Sequence, residues 1–154
     1  MLKTLKHQRY QVLMIDEKLY EQIRAVIPTV CVDLIITNKE DLFLLGKRTE
    51  RPAQGLWWFP GGRIFKWEKW QETAIRKGKE ELGVDLEIGE LISIENYFAT
   101  EEGYHTVNLV VHAKYTGGLI QLDKSHADYR WFSEVPEDLH PCVKEPLTRF
   151  GFQS

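Results

Sequence analysis

Lys77, Glu80 and Glu81 stand three and four residues apart. On a helix that spacing puts all three on one face. Two neighbouring carboxylates repel, so a merely solvated face gains nothing from them. A hard divalent cation reverses the sign, because magnesium takes carboxylate oxygens and keeps positions open for phosphate. A glycine pair, Gly61-Gly62, precedes the helix, and the loop RTERPAQG places Arg48 and Arg51 nearby in sequence. Their guanidinium forks suit phosphate. Asp33 interrupts the apolar run VCVDLII; a buried carboxylate is costly unless paired, so it implies a partner, a site role, or both. His126 sits in the polar stretch DKSHAD, and an imidazole of ordinary pKa, about 6.5, is matched to general-base work.

These residues need elements to hold them. The spacing predicts a helix from about Glu68 to Leu82, with Ala74, Gly78 and Leu82 at intervals of four, Trp70 and Ile75 beside them, and Gly83 just past its last turn. Val30–Ile36 reads as a strand and Asn38–Asp41 as a turn. Leu42–Leu45 is the returning strand of a hairpin that ends at Gly46-Lys47-Arg48. Upstream, residues 1–9 are polar and loosely held, Tyr10–Ile15 is a short strand, and Asp16 caps a helix running to about Val26. That helix turns Leu19 and Ile23 inward, and Pro28 stops it. Cys31 reads as a small core residue, and Trp57 and Trp58 as packing residues rather than stacking platforms.

Downstream, Asp85–Phe98 is a strand or a bent pair. Thr106–Tyr115 is a second strand, with Val107, Leu109, Val111 and Ala113 on one face. Asp123–Asp128 is a polar loop and Tyr129–Phe132 a strand. Ser133–Leu139 is a helical turn, and Cys142–Phe150 a closing helix limited by Pro146.

The 154 residues make one domain, 1–154, with apolar residues at 43% and charged residues at 28%. A net charge of -3 does not favour nonspecific nucleic-acid binding. Two distant cysteines, Cys31 and Cys142, make neither a disulfide framework nor a zinc site. No signal peptide is recognisable at the N-terminus, and the longest apolar stretch, 25–36, is short and interrupted, so no membrane segment is expected. The expected compartment is cytoplasmic.

The stretch 62–84 resembles the Nudix box, G-x5-E-x7-R-E-U-x-E-E-x-G-U, with U a bulky aliphatic. Gly62, Glu68, Arg76, Glu80, Glu81, Gly83 and Val84 match in register; Lys77 replaces a glutamate and Gly78 the following aliphatic. The resemblance implies an α/β (α+β) Nudix fold, a mixed β-sheet sandwiched between helices, behind an N-terminal extension of about residues 1–27. Val32–Ile35, the run LLGKRTERPAQGLWWFPGGR (44–63) and HADYRW (126–131) are similar to one branch, the GDP-mannose mannosyl hydrolases.

That likeness implies hydrolysis of GDP-mannose, and to some extent GDP-glucose, by water attack at the anomeric carbon. By it, Glu81 and the Gly61 carbonyl are metal ligands, with Glu80 as a second carboxylate. Ser125 stands where the branch has a ligating glutamine. His126 is the general base, Arg48 stabilises the leaving diphosphate, and Asp33 is an active-site aspartate. Arg48, Arg51 and Arg63 contact substrate. The cofactor is Mg²⁺, with Mn²⁺ as a substitute, the partner a small nucleotide sugar, and the assembly a homodimer. Two alternatives stay open: a Nudix pyrophosphatase that attacks phosphorus, and a Nudix-fold module that binds a nucleotide without turnover.

Overall fold

The structure is a computed structural model that describes residues 3–7 and 10–153, with side chains from residue 15. The expectation for residues 1–9 therefore lies partly outside the described residues. Strands β1 (Lys3–His7) and β2 (Tyr10–Met14) form a separate antiparallel pair. Asp16 then caps α1 (Glu17–Arg24), its carboxylate accepting from the Leu19 N–H at 2.9 Å. The inward face expected for α1 is not buried; Leu19 is exposed, and no residue of the helix is fully covered.

Seven strands form the main sheet: β3 (Thr29–Thr37), β4 (Phe43–Arg48), β5 (Trp57–Trp58), β6 (Gly61–Arg63), β7 (Asp85–Ala99), β8 (Tyr104–Gly117) and β9 (His126–Phe132). The principal order is β5-β4-β3-β8-β7, with β6 on β3 and β9 on β4. Strand β3 runs parallel to β8, while the other pairings are antiparallel, so the sheet is mixed. Helix α2 (Trp70–Lys77) continues as a π-helical segment, Gly78–Leu82, and α3 spans Pro141–Phe150.

The period-two alternation of the strands divides their apolar residues between two cores. Val32, Leu34, Ile36, Leu44 and Val111 pack with Ala74 and Leu82 of the α2 layer. Ile35, Phe43, Leu45 and Val110 pack with Val143 and Leu147 of α3. The sheet is thus sandwiched between helices.

The expected hairpin forms, but only Ile36↔Leu44 and Thr37↔Phe43 pair within it. Beyond them β4 leaves β3 for β5 and β9, and β6 takes the freed edge of β3, setting Gly61 opposite Asp33. The splay brings the glycine turn beside the buried carboxylate. Asp85–Ala99 is one bent strand with register shifts near Ile88 and Leu91. No helix forms over 133–139; the segment is tied down instead by the Val135 N–H to the Gln153 carbonyl. Pro146 lies buried inside α3 and does not end it, since that helix runs on to Phe150. Among the described residues no helix is long and apolar enough to cross a membrane.

Candidate active site

A cavity of about 920 Å³ is lined by residues of α1, β3, the loop after β4, β6, α2, β8 and the segment before β9. Glu81 is its hub. The residue is 5% exposed, and three groups converge on its carboxylate. The Gly61 N–H donates to Oε2 at 3.1 Å, and Lys77 Nζ lies 2.8 Å from Oε1. From the other side His126 Nδ1 lies 3.9 Å from Oε2.

The local sequence explains this hub. Gly78 has the Leu86 side chain against its Cα, so a Cβ there would meet Leu86 Cδ1 at 2.5 Å and force that side chain to shift; glycine lets the helix sit this close to β7 without it. The helix widens into its π-helical segment at the same residue, a distortion frequent at functional sites. Gly83, at φ +71°, then ends it in the left-handed conformation that glycine accepts.

Glu68 and Arg76, two matched positions of the box, brace the start of the helix. Arg76 grips Glu68 with two hydrogen bonds, 2.6 and 2.8 Å, and donates to the Arg63 carbonyl at 2.9 Å. Burial works to raise the Glu68 pKa, but the Arg76 guanidinium, the Phe65 N–H and the Thr73 hydroxyl outweigh it and hold the carboxyl below its usual range. This pair fixes the glycine turn to the helix; it does not line the cavity.

Asp33 lines the cavity at 6% exposure and accepts from the Asn108 side chain at 2.6 Å. Burial pushes its pKa up to about 6, against the lowering effects of Asn108 and the Arg48 charge. Arg48, half-buried at the end of β4, lines the same cavity, with Nε donating to the Pro52 carbonyl at 2.7 Å. That bond anchors one edge of the guanidinium.

The other predicted site residues divide. Arg51, Arg63 and Ser125 line the cavity with Gly61 and Glu81. The Arg51 side chain is 71% exposed, 3.7 Å from Glu102. Glu80 is not in the lining; it is exposed and tied to Arg76 at 3.1 Å and to Lys77 at 3.4 Å. His126 is not in the lining either. It belongs to a strand rather than to the polar loop expected of it, because β9 begins at His126, opposite Arg48. Its ring is buried over Gly46, where a Cβ would meet Cδ2 at 2.3 Å. Nε2 is buried with no hydrogen-bond partner among the described residues, and Nδ1 lies 3.0 Å from the Ser125 hydroxyl and 3.7 Å from Asp123.

Cys31 faces the cavity instead of the core, and burial pushes its thiol up to about 12. Trp58 is buried against Tyr97 and His140 and also touches the cavity. Sequence reasoning missed Asn108 as the partner of Asp33. The available signal was a polar residue inside each of two apolar strands, Asp33 in β3 and Asn108 in β8.

Among the described residues no three His, Cys, Asp or Glu side chains form a group that could hold a metal. Magnesium does not require one, since it commonly binds through one or two carboxylates plus substrate phosphates and keeps its waters. Glu81, Gly61 and Ser125, lining the cavity together with Arg48, Arg51 and Arg63, fit an ion shared with a diphosphate.

A mixed sheet lies between helices, with a glycine turn and a carboxylate-bearing helix at one cavity. The NUDIX domain family model matches residues 27–148, and the chain belongs to the Nudix hydrolase family. It is 33% identical over 134 residues to the low-salt glycan biosynthesis protein Agl8 of Haloferax volcanii, covering 83% of this chain and 85% of that one. It is 26% identical over 133 residues to an ADP-ribose pyrophosphatase of Methanocaldococcus jannaschii, covering 84% and 78%. The crystal structure of a MutT protein from Methanosarcina mazei Go1 superposes with a TM-score of 0.72 at 26% identity, covering 81% and 94%.

Proposed function

We propose that this Nudix hydrolase cleaves a nucleoside diphosphate sugar, GDP-mannose or GDP-glucose, to the nucleoside diphosphate and the free sugar. Water attacks the anomeric carbon, the bond from that carbon to the diphosphate oxygen breaks, and the diphosphate leaves with the electron pair. The observation that carries the reading is the hub at Glu81. Lys77, tied to Glu81 and Glu80, removes the spare carboxylate with which the helix could accept a proton. A protonated lysine cannot take up that role, so the base comes from elsewhere.

His126 is the base in this reading, with Ser125 between its Nδ1 and the cavity. Arg48, anchored by Pro52, faces the charge that develops on the leaving diphosphate. Arg51 and Arg63 bind the diphosphate or its flanks, and Asp33 is an active-site carboxylate ionised above about pH 6. Glu81, the Gly61 carbonyl and Ser125 would hold a magnesium or manganese ion, with Glu80 as an outer carboxylate, and the ion would neutralise diphosphate charge. A homodimer in the cytoplasm completes the reading.

Hydrolysis in ¹⁸O-labelled water tests it. Label on the sugar, with an unlabelled nucleoside diphosphate, is the expected result. Label on a phosphate overturns attack at carbon and makes the chain a pyrophosphatase. Absence of metal-dependent turnover across a panel of nucleotide sugars makes it a binding module.

A further inference from the structure

Helix α1 lies outside the segment that matches the family domain, yet one face of it walls the cavity. Glu17, Tyr20, Glu21 and Arg24 all line that wall, at the three- and four-residue spacing of a single helical face. The Arg24 guanidinium lies 3.9 Å from the centre of the Tyr104 ring and 5.4 Å from that of Tyr20. Arg63 reaches the same Tyr20 ring, at 4.4 Å. Two cations thus share an aromatic frame, and among the described residues Arg24 is held by stacking, with no ion pair.

The hydrogen bonding of Arg24 is incomplete. Its Nε and Nη1 are buried with no acceptor among the described residues. Glu21, three residues back on the same face, is exposed at the cavity, so its carboxylate is open to a ligand. Desolvated donors without acceptors are costly, and in a native site each calls for an explanation. A guanidinium only donates and a carboxylate only accepts. A planar ligand with an acceptor edge beside a donor edge satisfies both. Guanine carries these edges: O6 and N7 accept, as they do from arginine elsewhere, and N1–H and the 2-amino group donate. Adenine presents an amino group where guanine has O6, which sets donor against donor at Arg24.

We infer that α1 carries the nucleobase subsite of this cavity, with Arg24 and Glu21 selecting a 6-oxopurine and the Tyr20 and Tyr104 rings framing it. The inference rests on the reading of the cavity as a nucleotide site. It extends that reading to an element that the family match does not include.

Equilibrium binding of GDP, IDP, ADP and UDP, each with Mg²⁺, tests the subsite without turnover. The wild-type protein is expected to bind GDP and IDP about tenfold or more tighter than ADP or UDP. Arg24→Met keeps the aliphatic packing and removes the donors. It should bring GDP to the level of ADP while binding of inorganic pyrophosphate is retained. A wild type that binds GDP no tighter than ADP, or an Arg24→Met variant with the full GDP preference, overturns the inference. If circular dichroism shows that Arg24→Met is unfolded, Glu21→Met, which removes both acceptor oxygens, carries the test instead: a GDP preference that falls by about tenfold supports the subsite, and an unchanged preference overturns it. An ¹⁸O result placing label on phosphate would overturn the proposed reaction while leaving these affinities to decide the subsite separately.

Discussion

Lys77 Nζ sits 2.8 Å from Glu81 Oε1, so the helix position that matches a glutamate of the box supplies a cation to its neighbour. The lysine stem also packs on the glycine turn, since a Cβ on Gly62 would meet Lys77 Cε at 2.8 Å. At about 4 Å and an effective dielectric near 20, a lysine charge opposes a divalent ion by several kcal/mol. Lys77→Met should therefore tighten Mn²⁺ binding by about tenfold or more, read by calorimetric titration of the metal-free protein. Equal affinities would mean that Lys77 swings clear of Glu81 when the metal binds.

Glu81→Gln keeps the shape of the side chain and removes its charge. The fold should persist, because an amide oxygen can still accept from the Gly61 N–H. Metal-dependent turnover should fall by about 10³-fold or more, the rate equivalent of several kcal/mol. Near-normal turnover at low metal concentration would remove Glu81 from the ligand set.

The box spacing made the α2 helix, its Gly83 terminus and the Glu81 position legible in the sequence, because each depends on contacts a few residues apart. The sandwich was expected from the resemblance to the Nudix box, while of the alternation beneath it only one face of β8 was legible in the sequence. The rest depends on long-range pairing. The early parting of β3 and β4 is decided by β6 and β9 competing for their edges, and no local pattern in 30–48 encodes it. His126 read as a loop residue because DKSHAD is polar, whereas pairing with β4 draws it into a strand and buries it over Gly46. The α1 apolar residues suggested an inward face, but the cavity takes the Tyr20–Arg24 face instead.

Gly46 offers a way to disturb His126 without changing its chemistry. A methyl group there would collide with the imidazole, 2.3 Å from Cδ2. Gly46→Ala should shift the ring away from Ser125 and lower the catalytic rate constant, with substrate affinity changed much less. His126→Gln should cost roughly 10²- to 10⁴-fold, the usual reach of general-base catalysis. Steady-state kinetics of both variants checks the pair. Full activity in His126→Gln would assign the base elsewhere, and Asp33 is then the cavity carboxylate with a suitable pKa.

Asp33 couples the site to stability, and the sign can be worked out. Burial raises its carboxyl from 3.8 in the unfolded chain to about 6 in the folded protein. Between those values the folded state holds a proton that the unfolded state releases. Stability from this group is therefore fully present below about pH 4, falls as pH rises towards 6, and stays low above. The loss by pH 7 is about 3 kcal/mol, because a tenfold change in proton affinity is worth about 1.4 kcal/mol. Asp33→Asn removes the ionisation, and its amide oxygen can still accept from Asn108. Urea unfolding of both proteins at pH 4 and pH 7.5 should show the variant gaining on the wild type by about 2 kcal/mol or more at the higher pH. Turnover of the same variant should fall if the ionised carboxylate acts on substrate. A variant that is more stable at neutral pH yet slower is expected of a buried charge kept for chemistry. A stability difference that does not change with pH would mean that Asp33 ionises in the folded protein near its ordinary pKa.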